Sequence, residues 1–184
     1  EAAFTNDSKS DFTVQLQQAA DAGADLVFLP IYAQEASLLL TQADAMGYDP
    51  IFFGCDGLDG ILAIENFDTT LAEGVILLTP FVADAEDERT QNFVNAYVEA
   101  YGEIPNQFAA DAYDAIYILK AAIEASGVTP QDGVSAICDA LVATMPTISV
   151  DGLTGEGMTW AATGEVSKDP KAMIIENGVY TNLE

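Results

Sequence analysis

The chain has 184 residues, half of them apolar, enough for one α/β domain with a real core or for one domain and part of a second. Thirty acidic residues face five basic ones, a formal charge of −25, which argues against nucleic acid and an anionic membrane face as partners. Histidine is absent, which removes the usual general base, the usual zinc ligand and any Ser-His-Asp or Cys-His arrangement.

The acidic excess reads as a solubility device, since no aspartate-rich loop has calcium-binding spacing. No apolar run approaches the roughly 20 residues of a membrane helix. The opening EAAFTNDSKS lacks the basic start of an export signal. Cys55 and Cys138 make no zinc site; they are expected unpaired, Cys55 in a turn and Cys138 on a helix's apolar face.

In chain order, Asp11 can cap a helix whose stripe is Phe12, Leu16, Ala19 and Ala20, with Gly23 as its stop. Leu26–Leu29 is a continuous apolar run, the pattern of a parallel strand covered on both faces, and Pro30 ends it. A helix over 33–46 closes at Gly47, and Ile51–Phe53 is a second strand ended by Gly54. A turn and a short helical stretch run from Cys55 to about Asn66, before a third strand over 75–78. Three such units in series predict parallel strands with right-handed crossovers.

The rhythm then changes to consecutive helices. One covers 87–101, with Phe93, Ala96, Tyr97 and Tyr101 on its buried side. A longer one covers 106–126, with Ala112, Ile116, Leu119 and Ile123. Thr129 and Pro130 open a third, in the cap-then-proline order. These helices pack on something else or cross between domains. From Val150 glycines break the chain often, strands are expected over 158–160 and 172–175, and Asn177-Gly178 signals a tight hairpin.

Ligands of open α/β sheets bind beyond the carboxyl ends of the strands. That selects the loops after Pro30, Gly54 and Thr79, which offer Tyr32, then Asp56 and Asp59, then Thr79, Phe81 and Asp84. In GCDGLDG (54–60) the glycines allow close backbone approach, and a carboxylate in a cleft would pair with a cation such as an ammonium group. Asp56 could equally cap the stretch that follows, and the two roles are compatible. Tyr32 is either an aromatic wall of a site or a surface tyrosine beside a strand end. Trp160 reads as core or interface. Asp56 and Asp59 as an acid/base pair lack a nucleophile and a supporting partner, so an enzyme is the disfavoured reading.

Five stretches, in order, resemble the type 1 periplasmic-binding-protein family, specifically the branched-chain amino acid (Leu/Ile/Val) substrate-binding proteins of ABC transporters. They are DFTVQLQQAADAGADLVFLP (11–30), ASLLLTQADAMGYDPIFFGCDG (36–57), EGVILLTPF (73–81), FVNAYVEAYGEIPNQFAADAYDAIYILKAAIEASG (93–127) and LTGEGMTWAATGEV (153–166). The resemblance implies an α/β fold: a three-layer parallel sheet with flanking helices, one lobe of a two-lobed clamp, plus a C-terminal β-hairpin. It implies a lobe-two core over 1–105 without its first βα unit, helices over 106–149 that pack on lobe one in relatives, and a hairpin segment over 150–184.

Family members carry an entire first lobe that is not present here, so the chain reads as a truncated piece, expected to bind ligand weakly and to self-associate. The resemblance further implies an extracellular, cell-surface or periplasmic protein that binds an amino acid or similar small polar ligand and delivers it to an ABC permease, with no cofactor, metal or catalysis. By position, it assigns ligand contact to Tyr32, to Asp56 (toward the ligand's ammonium, where relatives often have Glu) and, more weakly, to Asp111. The alternative is the ligand-binding sensor domain of a membrane receptor with the same fold.

Overall fold

The computed structural model describes residues 1–183, which divide into two compact units: Glu1–Thr79 with the segment from Lys171 onward, and Pro80–Pro170.

In the first unit, helix α1 (Thr13–Asp21) is anchored by Phe12 and Leu16, both fully buried. The Asp11 carboxylate accepts the Thr13 N–H at 3.0 Å, as its sequence position suggests. Phe12 occupies the cap position itself, and its own N–H is taken by Gln42 Oε1 at 2.7 Å. Strand β1 (Leu26–Leu29), helix α2 (Ala33–Met46), strand β2 (Ile51–Gly54) and strand β3 (Ile76–Thr79) follow the expected order. Helix α2 stops at Gly47, which takes the left-handed conformation (φ 66°) that side chains disfavour.

Strands β1, β2 and β3 are parallel, with Leu29 beside Gly54 and Gly54 beside Leu77. The sheet is completed by β4 (Lys171–Glu176) and β5 (Val179–Asn182), giving the order β1-β2-β3-β4-β5. β4 runs antiparallel to β3, and β5 antiparallel to β4, so the sheet is mixed rather than parallel throughout. The hairpin expected at Asn177-Gly178 is the link between β4 and β5. Both residues have positive φ (55° and 74°), as a two-residue turn matched to strand twist requires. Glu73 fixes that turn by accepting both of its N–H groups, from Asn177 at 2.8 Å and Gly178 at 2.7 Å.

Because side chains alternate across a strand, register decides which face is covered. Leu29, Leu77 and Met173 share one face and are buried. On the other face Leu26, Phe28 and Ile51 are 48%, 52% and 52% exposed, with the Phe28 and Phe53 rings 5.6 Å apart. The expectation that β1 is covered on both faces therefore fails within this chain.

The second unit contains α3 (Glu88–Tyr101), α4 (Gln107–Ser126) and α5 (Val134–Thr144). Asp87 and Asn106 cap α3 and α4 by accepting the N–H of Thr90 (2.9 Å) and Ala109 (3.2 Å). Phe81, Phe93, Ala110 and Leu153 form the core. Tyr101, expected on the buried side of α3, is 70% exposed; it lies one turn beyond Tyr97, past the core. Ile116, Leu119 and Ile123 form an exposed apolar stripe on α4. The third helix does not start at Thr129. The Asp132 carboxylate accepts the Thr129 N–H and hydroxyl at 2.7 and 2.9 Å, closing a turn, and α5 begins after Gly133. Met158 and Trp160 make only isolated bridges, to Val150 and Val166, in place of a strand.

Candidate functional site

The parallel register brings the loops after β1 and β2 out at the same end of the sheet, side by side. Tyr32 sits at the start of α2, where its backbone carbonyl accepts the Ala36 N–H at 2.9 Å while its side chain is 69% exposed. Asp56 opens a single 3-10 turn, Asp56–Leu58, and is exposed. The cap position of that turn is Cys55, not Asp56.

Two contacts press these loops together. Leu58 is fully buried over Gly54, where any Cβ would collide with its methyl groups. Gly57 lies so close to the preceding loop that a Cβ there would stand 2.5 Å from the Ile31 carbonyl oxygen and 3.4 Å from the Tyr32 ring. The glycine is needed for this close approach of two backbones. Tyr32 and Asp56 thus occupy adjoining loops, an aromatic ring and a carboxylate on one edge of the first unit.

A residue that the sequence reading did not single out also reaches this loop. Tyr180, on β5, accepts the Gly60 N–H at its hydroxyl oxygen, 3.1 Å away. Burial, and next the nearby Asp59 carboxylate, push the Tyr180 phenol up to about 12. No local signal could have flagged it, since the partners are 120 positions apart in the chain.

The other candidates have different surroundings. Asp111 belongs to the second unit, on α4, and holds Lys168 Nζ at 2.6 Å. Phe81, a candidate from the third loop, is buried in the second unit's core with its ring 5.9 Å from that of Phe93, so it offers no face to a ligand. An open groove of about 610 Å³ between α3 and α4 is lined by Phe93, Tyr97, Tyr101 and Tyr113 among others. Cys55 and Cys138 are both free, and Cys138 is exposed rather than packed. Among the described residues no group of three or more acidic or cysteine side chains could hold a metal ion, and no helix is long and apolar enough to cross a membrane.

A family profile described as "Periplasmic binding protein" matches residues 1–178. The chain belongs to the periplasmic binding protein family. Among solved structures, the leucine-binding protein of Thermotoga maritima superposes with a TM-score of 0.81 over all of this chain and 51% of its own, at 24% identity. The branched-chain amino acid transporter substrate-binding protein LivJ of Streptococcus pneumoniae, solved with isoleucine, gives 0.77 at 26% identity, covering 96% of this chain and 48% of its own. A solute-binding protein of R. palustris in complex with benzoate gives 0.79 at 23% identity, over 99% and 48%. This periplasmic binding protein chain therefore spans about half the length of these relatives. No curated protein matches the chain by sequence.

Proposed function

We propose that this chain is part of the solute-binding component of an ABC importer, working in the periplasm or at the cell surface. It contributes one wall of a site for an amino acid or a similar small polar ligand, held between two lobes and passed to a permease. Tyr32 supplies an aromatic wall, and Asp56 a carboxylate for the ligand's ammonium group. Asp111 belongs to the second unit, where Lys168 engages it, and is not counted in this wall.

The observation that carries this reading is the approach of Gly57 to the Ile31 carbonyl, which fixes the Tyr32 and Asp56 loops side by side. The similar LivJ protein was solved with isoleucine, which favours an aliphatic amino acid, whereas the benzoate complex belongs to a protein of lower identity. One wall encloses a ligand on one side only, so this chain alone is expected to bind in the millimolar range or not at all. Calorimetry with a panel of amino acids tests this. Micromolar binding by the isolated chain would contradict the one-wall reading, and turnover of any panel member would contradict a binding role.

A further inference from the structure

The 54–60 loop carries much of its own support. Its first turn is closed by bonds from Leu58 N to the Cys55 carbonyl (3.1 Å) and from Asp59 N to the Asp56 carbonyl (3.0 Å). Its base is fixed by Leu58 over Gly54, and its flank by Gly57 against Ile31. At its far end the chain reverses at Gly60, which has φ 90°, before the next 3-10 turn, Ile61–Ala63. There the tether comes from outside the loop, from the Tyr180 hydroxyl.

We propose that Tyr180 is a positioning residue, whose hydroxyl, through the Gly60 amide, holds the 54–60 loop in the pose that presents Asp56 beside Tyr32. This rests on the reading of that loop as a ligand contact. Tyr180 is well placed for the role, because it lies in register with the fully buried Ile175 of β4, so its ring is carried by the sheet itself. The phenol ionises only at about 12, so at neutral pH its oxygen is a neutral acceptor beside the Asp59 carboxylate. The turn at Asn177-Gly178 that brings β5 back is in turn held by Glu73. The C-terminal hairpin thereby becomes part of the ligand-contacting apparatus, although none of its residues need touch the ligand. Phenylalanine at 180 would keep the ring and leave the Gly60 N–H without its acceptor.

Amide exchange by NMR on the whole chain tests this, with L-isoleucine as the titrated probe. In the unaltered chain the Gly60 amide is expected to be protected. In Tyr180→Phe it is expected to exchange at least about tenfold faster, with α4 amides unchanged, since a single lost bond opens the structure locally. Isoleucine-dependent shifts at Asp56 and Gly57 should then need a several-fold higher concentration. An unprotected Gly60 amide in the unaltered chain, equal Gly60 exchange in both proteins, or equal isoleucine response despite faster exchange would each overturn the proposal. If Tyr180→Phe unfolds, protection of Gly60 in the unaltered chain decides. If isoleucine shifts neither protein while exchange changes as expected, one wall alone does not hold the ligand and the tethering of the loop stands.

Discussion

Asp114 Oδ2 accepts both the backbone N–H of Thr154 at 2.8 Å and its hydroxyl at 2.7 Å, while Oδ1 accepts the Leu153 N–H at 2.8 Å. All three groups are buried, and the segment they hold passes so close that a Cβ on Gly152 would collide with the carboxylate. Arg89 closes the other side by donating to the Gly152 carbonyl at 2.9 Å. The carboxylate on α4 therefore organises the loop that delivers Leu153 to the second unit's core.

Asp114→Ala removes an ionised acceptor from three buried donors and is expected to cost about 2–4 kcal/mol, with Asp114→Asn costing less because one oxygen acceptor remains. Urea unfolding followed by Trp160 fluorescence measures this. A loss below about 0.5 kcal/mol for the alanine variant would show that the loop is held by other contacts.

Gly57→Ala places a methyl group against the Ile31 carbonyl, where backbone rather than a flexible side chain must give way. The two loops should separate, at a cost of about 1–3 kcal/mol, and isoleucine-dependent shifts near Asp56 should weaken. A crystal structure of the variant with the two loops unmoved would count against the close approach of Gly57 to Ile31.

Burial raises the Tyr180 phenol from its ordinary value of 10.0 to about 12 in the folded chain. The unfolded chain then ionises first as pH rises. The contribution of this tyrosine is fully present below pH about 10 and is lost as pH climbs through about 12. Thermal melts should fall across that window, and less steeply in Tyr180→Phe. Parallel declines in the two proteins would mean that Tyr180 is not the group responsible.

Leu26, Phe28 and Ile51 leave an apolar sheet face open in this chain, while a net charge of −25 opposes close approach of two copies. Self-association is therefore expected to grow with salt, which screens the repulsion, and to be suppressed by Phe28→Asp. Light scattering from 0.05 to 1 M salt, a range spanning Debye lengths of about 14 to 3 Å, measures it. A single monomeric species throughout would remove the face as a sticky surface.

The elements legible in the sequence are those set by local rules. Gly23 and Gly47 stop helices with positive φ, and Asn177-Gly178 makes the hairpin turn from two adjacent left-handed residues. The three parallel strands, and the adjacency of the Tyr32 and Asp56 loops, followed from the alternation of apolar runs and helices. What was not legible depends on partners distant in the chain. Nothing near Gly60 points to Tyr180, and nothing near Met173 says that β4 will align against β3. Thr129-Pro130 misled because the Asp132 side chain satisfies Thr129 locally, making a turn where a cap was expected. Coverage of the sheet could not be read either, since the run Leu26–Leu29 is equally apolar on both faces whether or not both are covered.

The pairing of β3 with β4 joins segments separated by the whole of the second unit, Pro80–Pro170. During synthesis β3 precedes β4 by that whole segment, and until β4 follows it β3 stays an unprotected edge, with Leu77 lacking its neighbour Met173. Completion of the first unit's sheet thus waits on synthesis of the whole intervening segment, and a chain halted before Lys171 would carry an open strand edge able to pair with other chains.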